Sequence, residues 1–135
     1  MERFKLKFEE PRYYVNEKKN TVTCVMTCRL SGNPTVMSML YTMSDLSNDY
    51  SLYDSIRYSF EVSATSKLYP GDNFDVEIGK TVARTKAESK AYLCTSNKIG
   101  KLINKYFNMV QNAYDDFYVK SESVASHNDE YLEKF

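Results

Sequence analysis

Residues 74–91 read Phe74-Asp75-Val76-Glu77-Ile78-Gly79-Lys80-Thr81-Val82-Ala83-Arg84-Thr85-Lys86-Ala87-Glu88-Ser89-Lys90-Ala91. Gly79, Ala83, Ala87 and Ala91 recur every four residues, so on a helix they stack along one face. Side chains that small let a helix axis approach a neighbouring backbone closely. The spacing therefore predicts a helix over about 74–93, pressed against another layer. Ile78, Val82 and Thr85 lie beside the small-residue stripe and add apolar area, while Lys80, Arg84, Lys86 and Lys90 lie elsewhere, with Glu77 and Glu88 as counter-charges. In the preceding turn, Tyr69-Pro70-Gly71-Asp72, Asp72 is placed to accept from the first free amides of the helix. Asp75 suits the positive end of its dipole.

The layer it presses on is expected in the N-terminal half. Phe4, Leu6 and Phe8 alternate with charged residues, the period-two pattern of a half-buried strand. After Pro11, Arg12-Tyr13-Tyr14-Val15 resumes an extended run. The polar turn Asn16-Glu17-Lys18-Lys19-Asn20 then leads into Thr21–Leu30, which is rich in β-branched residues. Val22, Cys24, Met26, Cys28 and Leu30 share one face of that run. Two such runs about a short polar turn make a hairpin.

Ser31-Gly32-Asn33-Pro34 is a turn signal. Residues 35–54 combine helical spacing (Val36, Met39, Leu40, Met43) with an acidic, turn-like stretch, and read as a short helix or an irregular excursion. Residues 55–66 alternate again, with Ile56, Tyr58, Phe60, Val62 and Ala64 on one face. Beyond residue 93, Thr95-Ser96-Asn97 offers a cap for a second helix. Ile99, Leu102, Ile103, Tyr106, Val110, Ala113, Tyr114 and Phe117 give that helix an apolar stripe to about residue 118. The stripe is wide enough for core throughout, or for core at one end and an oligomer contact at the other. The expected fold is α+β: an antiparallel sheet of about four strands with two C-terminal helices packed on one face. Residues 1–120 read as a single domain and 121–135 as an acidic C-terminal tail.

Composition agrees with one domain. The 135 residues carry 18 basic and 18 acidic side chains, 42% hydrophobic residues, and only four Gly and three Pro, which excludes disordered and collagen-like classes. No apolar run is long enough to span a bilayer, and the charged start Met-Glu-Arg-Phe-Lys lacks the apolar centre of a signal peptide. Three Cys suggest free thiols in a reducing compartment. A cytoplasmic protein is expected, with no membrane partner. The zero net charge conceals blocks of alternating sign: +3 over residues 1–43, −4 over 44–75, +5 over 76–106 and −4 over 107–135. Such a surface can hold an anion locally or pair with copies of itself. A sequence pI of 6.6 lacks the basic footprint of a duplex binder, so nucleic acid is not the expected partner.

Catalytic signals are weak. His127, the only histidine, lies in a polar stretch with neither an orienting partner nor a nucleophile marked nearby. Cys24 and Cys28 on a strand are roughly 13 Å apart, too far to share one zinc ion. Asp72, Asp75 and Glu77 lack the spacing of a calcium loop. Gly79-Lys80-Thr81 lacks the earlier glycine of a phosphate loop. No cofactor is implied. Tyrosine is the unusual feature, with twelve Tyr, seven Phe and no Trp. Tyr13, Tyr14 and Tyr58 gathered with Arg12, Arg29 and Arg57 would suit stacking on a base and contact with phosphate; a tyrosine rim around the core is the plainer reading.

The run Tyr69–Ala91 resembles a module of small bacteriophage proteins. In it a strand is followed by a Pro-x-Asp-x-Phe-Asp turn and a helix with Gly-x-x-x-Ala and a basic-Ala step. Asn20-Thr21-Val22-Thr23-Cys24 fits the strand before it. The likeness covers about a third of the chain and departs at Thr85-Lys86-Ala87, where an Arg-Ala pair is more usual. Some proteins that look similar are anti-Thoeris sponges, oligomers that sequester nucleotide signals of host immunity. The resemblance thus implies a non-enzymatic phage anti-defence protein in the host cytoplasm, a homo-oligomer that binds a small nucleotide. Arg57, Lys80 and Arg84 are the candidate cations and Tyr58 the stacking candidate. The alternative is a protein-interaction module: an inhibitor of a host protein or a virion structural subunit.

Overall fold

A computed structural model describes residues 3–53, 58–67 and 75–135. In chain order the elements are β1 (Lys5–Phe8), β2 (Arg12–Asn16), β3 (Thr21–Ser31), α1 (Pro34–Ser47), β4 (Phe60–Lys67) and α2 (Val76–Leu132). The expected α+β architecture is present: four antiparallel strands and two helices, the long one at the C-terminus.

Strand β3 is the centre of the sheet. Along one edge it pairs with β1 (Leu6 opposite Leu30) and with β2 (Tyr13 opposite Cys24); along the other it pairs with β4 (Met26 opposite Val62). The predicted hairpin of β2 and β3 closes as expected, with Asn20 in the left-handed region (φ 52°) and Asn16 Oδ1 accepting from Lys19 N at 3.2 Å. Phe8 faces Cys28 and Arg12 faces Val25. Four steps on the edge therefore match three on β3, the signature of one extra residue. That extra residue switches the inward parity from Leu6 and Phe8 to Tyr13. Pro11, which has no N–H to offer a ladder, sits in the interruption.

The inner face of β3 is the core: Val22, Cys24, Met26, Cys28 and Leu30 are all buried. The opposite face stays polar, with Arg12 donating to Glu61 (2.6 Å) and the Thr23 and Thr65 hydroxyls 2.9 Å apart. Such one-sided burial is open to an antiparallel sheet.

Residues 34–47 resolve the ambiguous middle of the chain as helix. Asn33 accepts from Thr35 N and Val36 N, and Pro34 occupies the first helical turn. The helix ends at Asn48, φ 57°, whose N–H returns to Ser44 O. Leu40, together with Leu52, joins the core cluster that contains Leu102 of α2.

Three expectations change. The two C-terminal helices are one, Val76–Leu132, and the second helix of the fold is α1, earlier in the chain. Thr95 does not cap; it is buried and continues the small-residue stripe of Gly79, Ala83, Ala87 and Ala91. With no proline from Val76 onward, and Thr, Ser and Asn only mildly unfavourable within a helix, nothing stops it there. The helix is capped by Asp75, which accepts from Glu77 N (3.0 Å) and Ile78 N (3.2 Å); Asp72 lies outside the described residues. Through Leu132, the segment expected as a tail continues α2.

Candidate interaction surface

At 57 residues, α2 is about 86 Å long, far longer than the sheet it lies on. Its first half is held from end to end. A Cβ placed on Gly79 would meet Val22 Cγ2 at 2.7 Å, so helix and sheet are in contact as closely as glycine allows. Ala83, Ala87 and Ala91 are wholly buried behind it. Longer side chains reach past this seam to the sheet edges. Lys90 Nζ donates to Ser63 O at 3.2 Å, and the Tyr92 hydroxyl accepts from Leu6 N at 3.3 Å. Leu102, also wholly buried, lies in the cluster with Leu40 and Leu52.

Among the described residues, Tyr58 lies at another level of the sheet from Lys80 and Arg84. Lys80 and Arg84 stand one turn apart near the start of α2, Lys80 5.4 Å from the centre of the Tyr13 ring and 3.5 Å from Glu77 Oε1. Arg84 is exposed, and its charge is felt by the Cys24 thiol. Tyr58 precedes the opposite end of β4: Phe60 pairs with Cys28, whereas the Lys80 end of the helix lies on Val22. Six residues of strand, about 20 Å, separate those levels. Arg57 lies outside the described residues. Two apolar grooves occur elsewhere. One, of about 290 Å³, is lined by Phe4, Leu6, Leu30, Tyr92 and Ile99; the other, of about 320 Å³, by Met39, Met43 and Tyr106. Neither contains Lys80 or Arg84.

Beyond Tyr106 the helix leaves the body. Every residue from Phe107 to Phe135 is exposed except the half-buried Ser121, whose hydroxyl donates to Phe117 O (2.8 Å). This stretch is not polar all round. Ile103, Val110, Phe117, Val124 and Tyr131 recur at intervals of seven, and all are exposed. Phe107, Tyr114, Ser121 and Asn128 fall four residues after the first four of them. Two interleaved series three and four residues apart form one stripe along a helix. Phe117, at the middle of the stripe, is two-thirds exposed. An isolated exposed apolar residue is ordinary; a continuous stripe of them marks a contact surface.

The sequence carried this signal, but a window stopped at residue 118 sees only part of it. Val124 and Tyr131, inside what reads as an acidic tail, extend the series. His127 is exposed on the same segment.

The chemistry of the body is quiet. Burial pushes the Cys28 thiol up to about 11, against a smaller opposing pull from Lys98, and raises Cys24 as well. Both are therefore inert thiols. Among the described residues no group of His, Cys, Asp and Glu side chains could hold a metal ion, and no helix is long and apolar enough to cross a membrane. The chain matches no family model, no curated protein and no solved structure.

Proposed function

We propose that the protein acts by protein–protein contact: a small α+β head presents a long helix whose second half is the binding surface. The observation that carries this reading is the apolar stripe of residues 103–131, exposed along a helix that has left its own core. A lone helix gains little stability in water without packing. Among the described residues no other element of the chain covers the bulky apolar side chains of this stripe, and contact with another chain supplies the missing area. The reading fits an assembly subunit or an inhibitor of a host protein. The test is photo-cross-linking in the source cells with a photoreactive residue in place of Tyr118, beside the stripe. A discrete protein adduct is expected there and not from the same residue at Lys86, on the outward face of the held half. No adduct from Tyr118 would end the proposal.

A second reading is favoured by the Lys80–Tyr13 contact with Arg84 one turn on, and by the resemblance to phage anti-defence sponges. On it, this end of the sheet takes the phosphate and base of a small nucleotide signal. Calorimetry against cyclic and ADP-ribose-derived nucleotides tests it; an absence of heat with all of them excludes it.

A further inference from the structure

We infer that the partner of the exposed stripe is the same stripe of further copies of this chain, packed parallel and in register as a coiled coil. The inference rests on the contact reading above and names its partner. Its first support is the period. A straight α-helix drifts about 20° per heptad against a strict seven-residue repeat, so the series Ile103, Val110, Phe117, Val124, Tyr131 stays in line only if the helix supercoils. The partner must follow the same path. Another helix with the same repeat does so, and a flat protein surface does not.

The second support is the polar pair in the stripe. Ser121 and Asn128 occupy seam positions, at the level of Phe107 and Tyr114 in earlier heptads. In a parallel, in-register assembly each meets its own counterpart, and amide finds amide. An antiparallel overlay of residues 103–131 would set Asn128 against the Tyr106–Val110 stretch, leaving the amide among apolar groups. A single polar seam residue is a recognised device for fixing register.

Valine and isoleucine at the Ile103, Val110 and Val124 positions, rather than leucine, favour more than two strands. The head leaves room for this. Leu102 points into the core cluster, and Ile103, the next residue, points about 100° around the helix from it.

The test uses the full chain with Cys94→Ser, since Cys94 is exposed whereas Cys24 and Cys28 are buried. On this background Asn128→Cys should convert under mild oxidation to a disulfide-linked species of twice the chain mass. Phe107→Cys, at the other end of the seam, should do the same. Ser126→Cys, on the outward face, should remain monomeric on a reducing-agent-free gel. Sedimentation equilibrium of the unaltered chain should give a multiple of 15.7 kDa. A monomer mass, or linkage equal at Ser126→Cys and Asn128→Cys, overturns the inference. If the photo-cross-link from Tyr118 instead captures a different protein while the chain sediments as a monomer, the contact reading survives and self-association does not.

Discussion

The two halves of α2 share one backbone but carry inverse kinds of packing face. From Gly79 to Thr95 the inward residues are the smallest available, repeated every four, and the helix lies directly on the sheet. From Ile103 to Tyr131 the aligned residues are bulky, repeated every seven, exposed, and none of them belongs to the core cluster. Size and period together separate the two. Small residues at four-residue spacing bring a helix down onto a broad surface; large ones at seven-residue spacing prepare it for another helix. The charge follows the same division, +5 over residues 76–106 and −4 over 107–135.

The sharpest way to break this comparison is to remove apolar mass from each half. Leu102→Ala takes away a wholly buried side chain at the junction with α1. It should cost about 2–5 kcal/mol, the usual range for a cavity in a core. Val119→Ala, on the exposed outward face, should stay within about 0.5 kcal/mol of the parent. Urea unfolding followed by circular dichroism reads both. Equal effects would mean that the free half is held by the head after all.

Much of this division is written in the sequence. The alternating face of Val22, Cys24, Met26, Cys28 and Leu30 and the stripe of Gly79, Ala83, Ala87 and Ala91 need no partner to be recognised, since each is a local period. The break expected at Thr95-Ser96-Asn97 failed because capping residues are also tolerated inside a helix, and the buried position of Thr95 depends on a sheet that lies far away in sequence. The bulge between β1 and β2 is likewise invisible locally: only pairing with β3 shows that Phe8 to Arg12 is one residue too long. As for the candidate site, the charge blocks and the phage-module resemblance join Arg57, Tyr58, Lys80 and Arg84 by charge type and aromatic character. Neither says which end of a strand a residue occupies, and Tyr58 and Lys80 lie toward opposite ends of the sheet.

The head can be addressed by pH with the free half as a silent reference. Cys28 ionises at about 11 when folded, because burial disfavours the thiolate, against an ordinary value of 9.0. Above pH 9 the unfolded chain releases this proton first, and the unfolded state gains. The contribution is therefore complete below pH 9 and is lost progressively as pH rises through about 11. The difference amounts to roughly 3 kcal/mol at most. Urea titrations between pH 8 and 11 should show a steeper decline for the parent than for Cys28→Ala. Parallel slopes would mean that the thiol is not shielded. Cys94, on the outward face, should react with a thiol reagent at once in the native protein, with Cys24 and Cys28 following only on unfolding.

The finest distinction uses two glycines of the same helix. Replacing a helical glycine by alanine, where the new Cβ enters open space, restricts the unfolded chain and stabilises by about 0.5–1 kcal/mol. Gly100 meets that description, since a Cβ there has nothing within 4 Å. At Gly79 the new methyl would lie 2.7 Å from Val22 Cγ2 and 3.3 Å from Val22 Cβ. Val22 is wholly buried in the central strand, and a β-branched side chain has few rotamers into which it can retreat. Helix and sheet must therefore separate slightly, and overpacking of this kind costs about 1–3 kcal/mol. Helix propensity returns only part of that, because Gly79 lies in the first turns of α2. Gly79→Ala should therefore lower the unfolding midpoint and Gly100→Ala raise it, although the substitution is chemically the same. Two shifts of one sign would show that helix propensity, and not closeness of approach to Val22, governs the held half of α2.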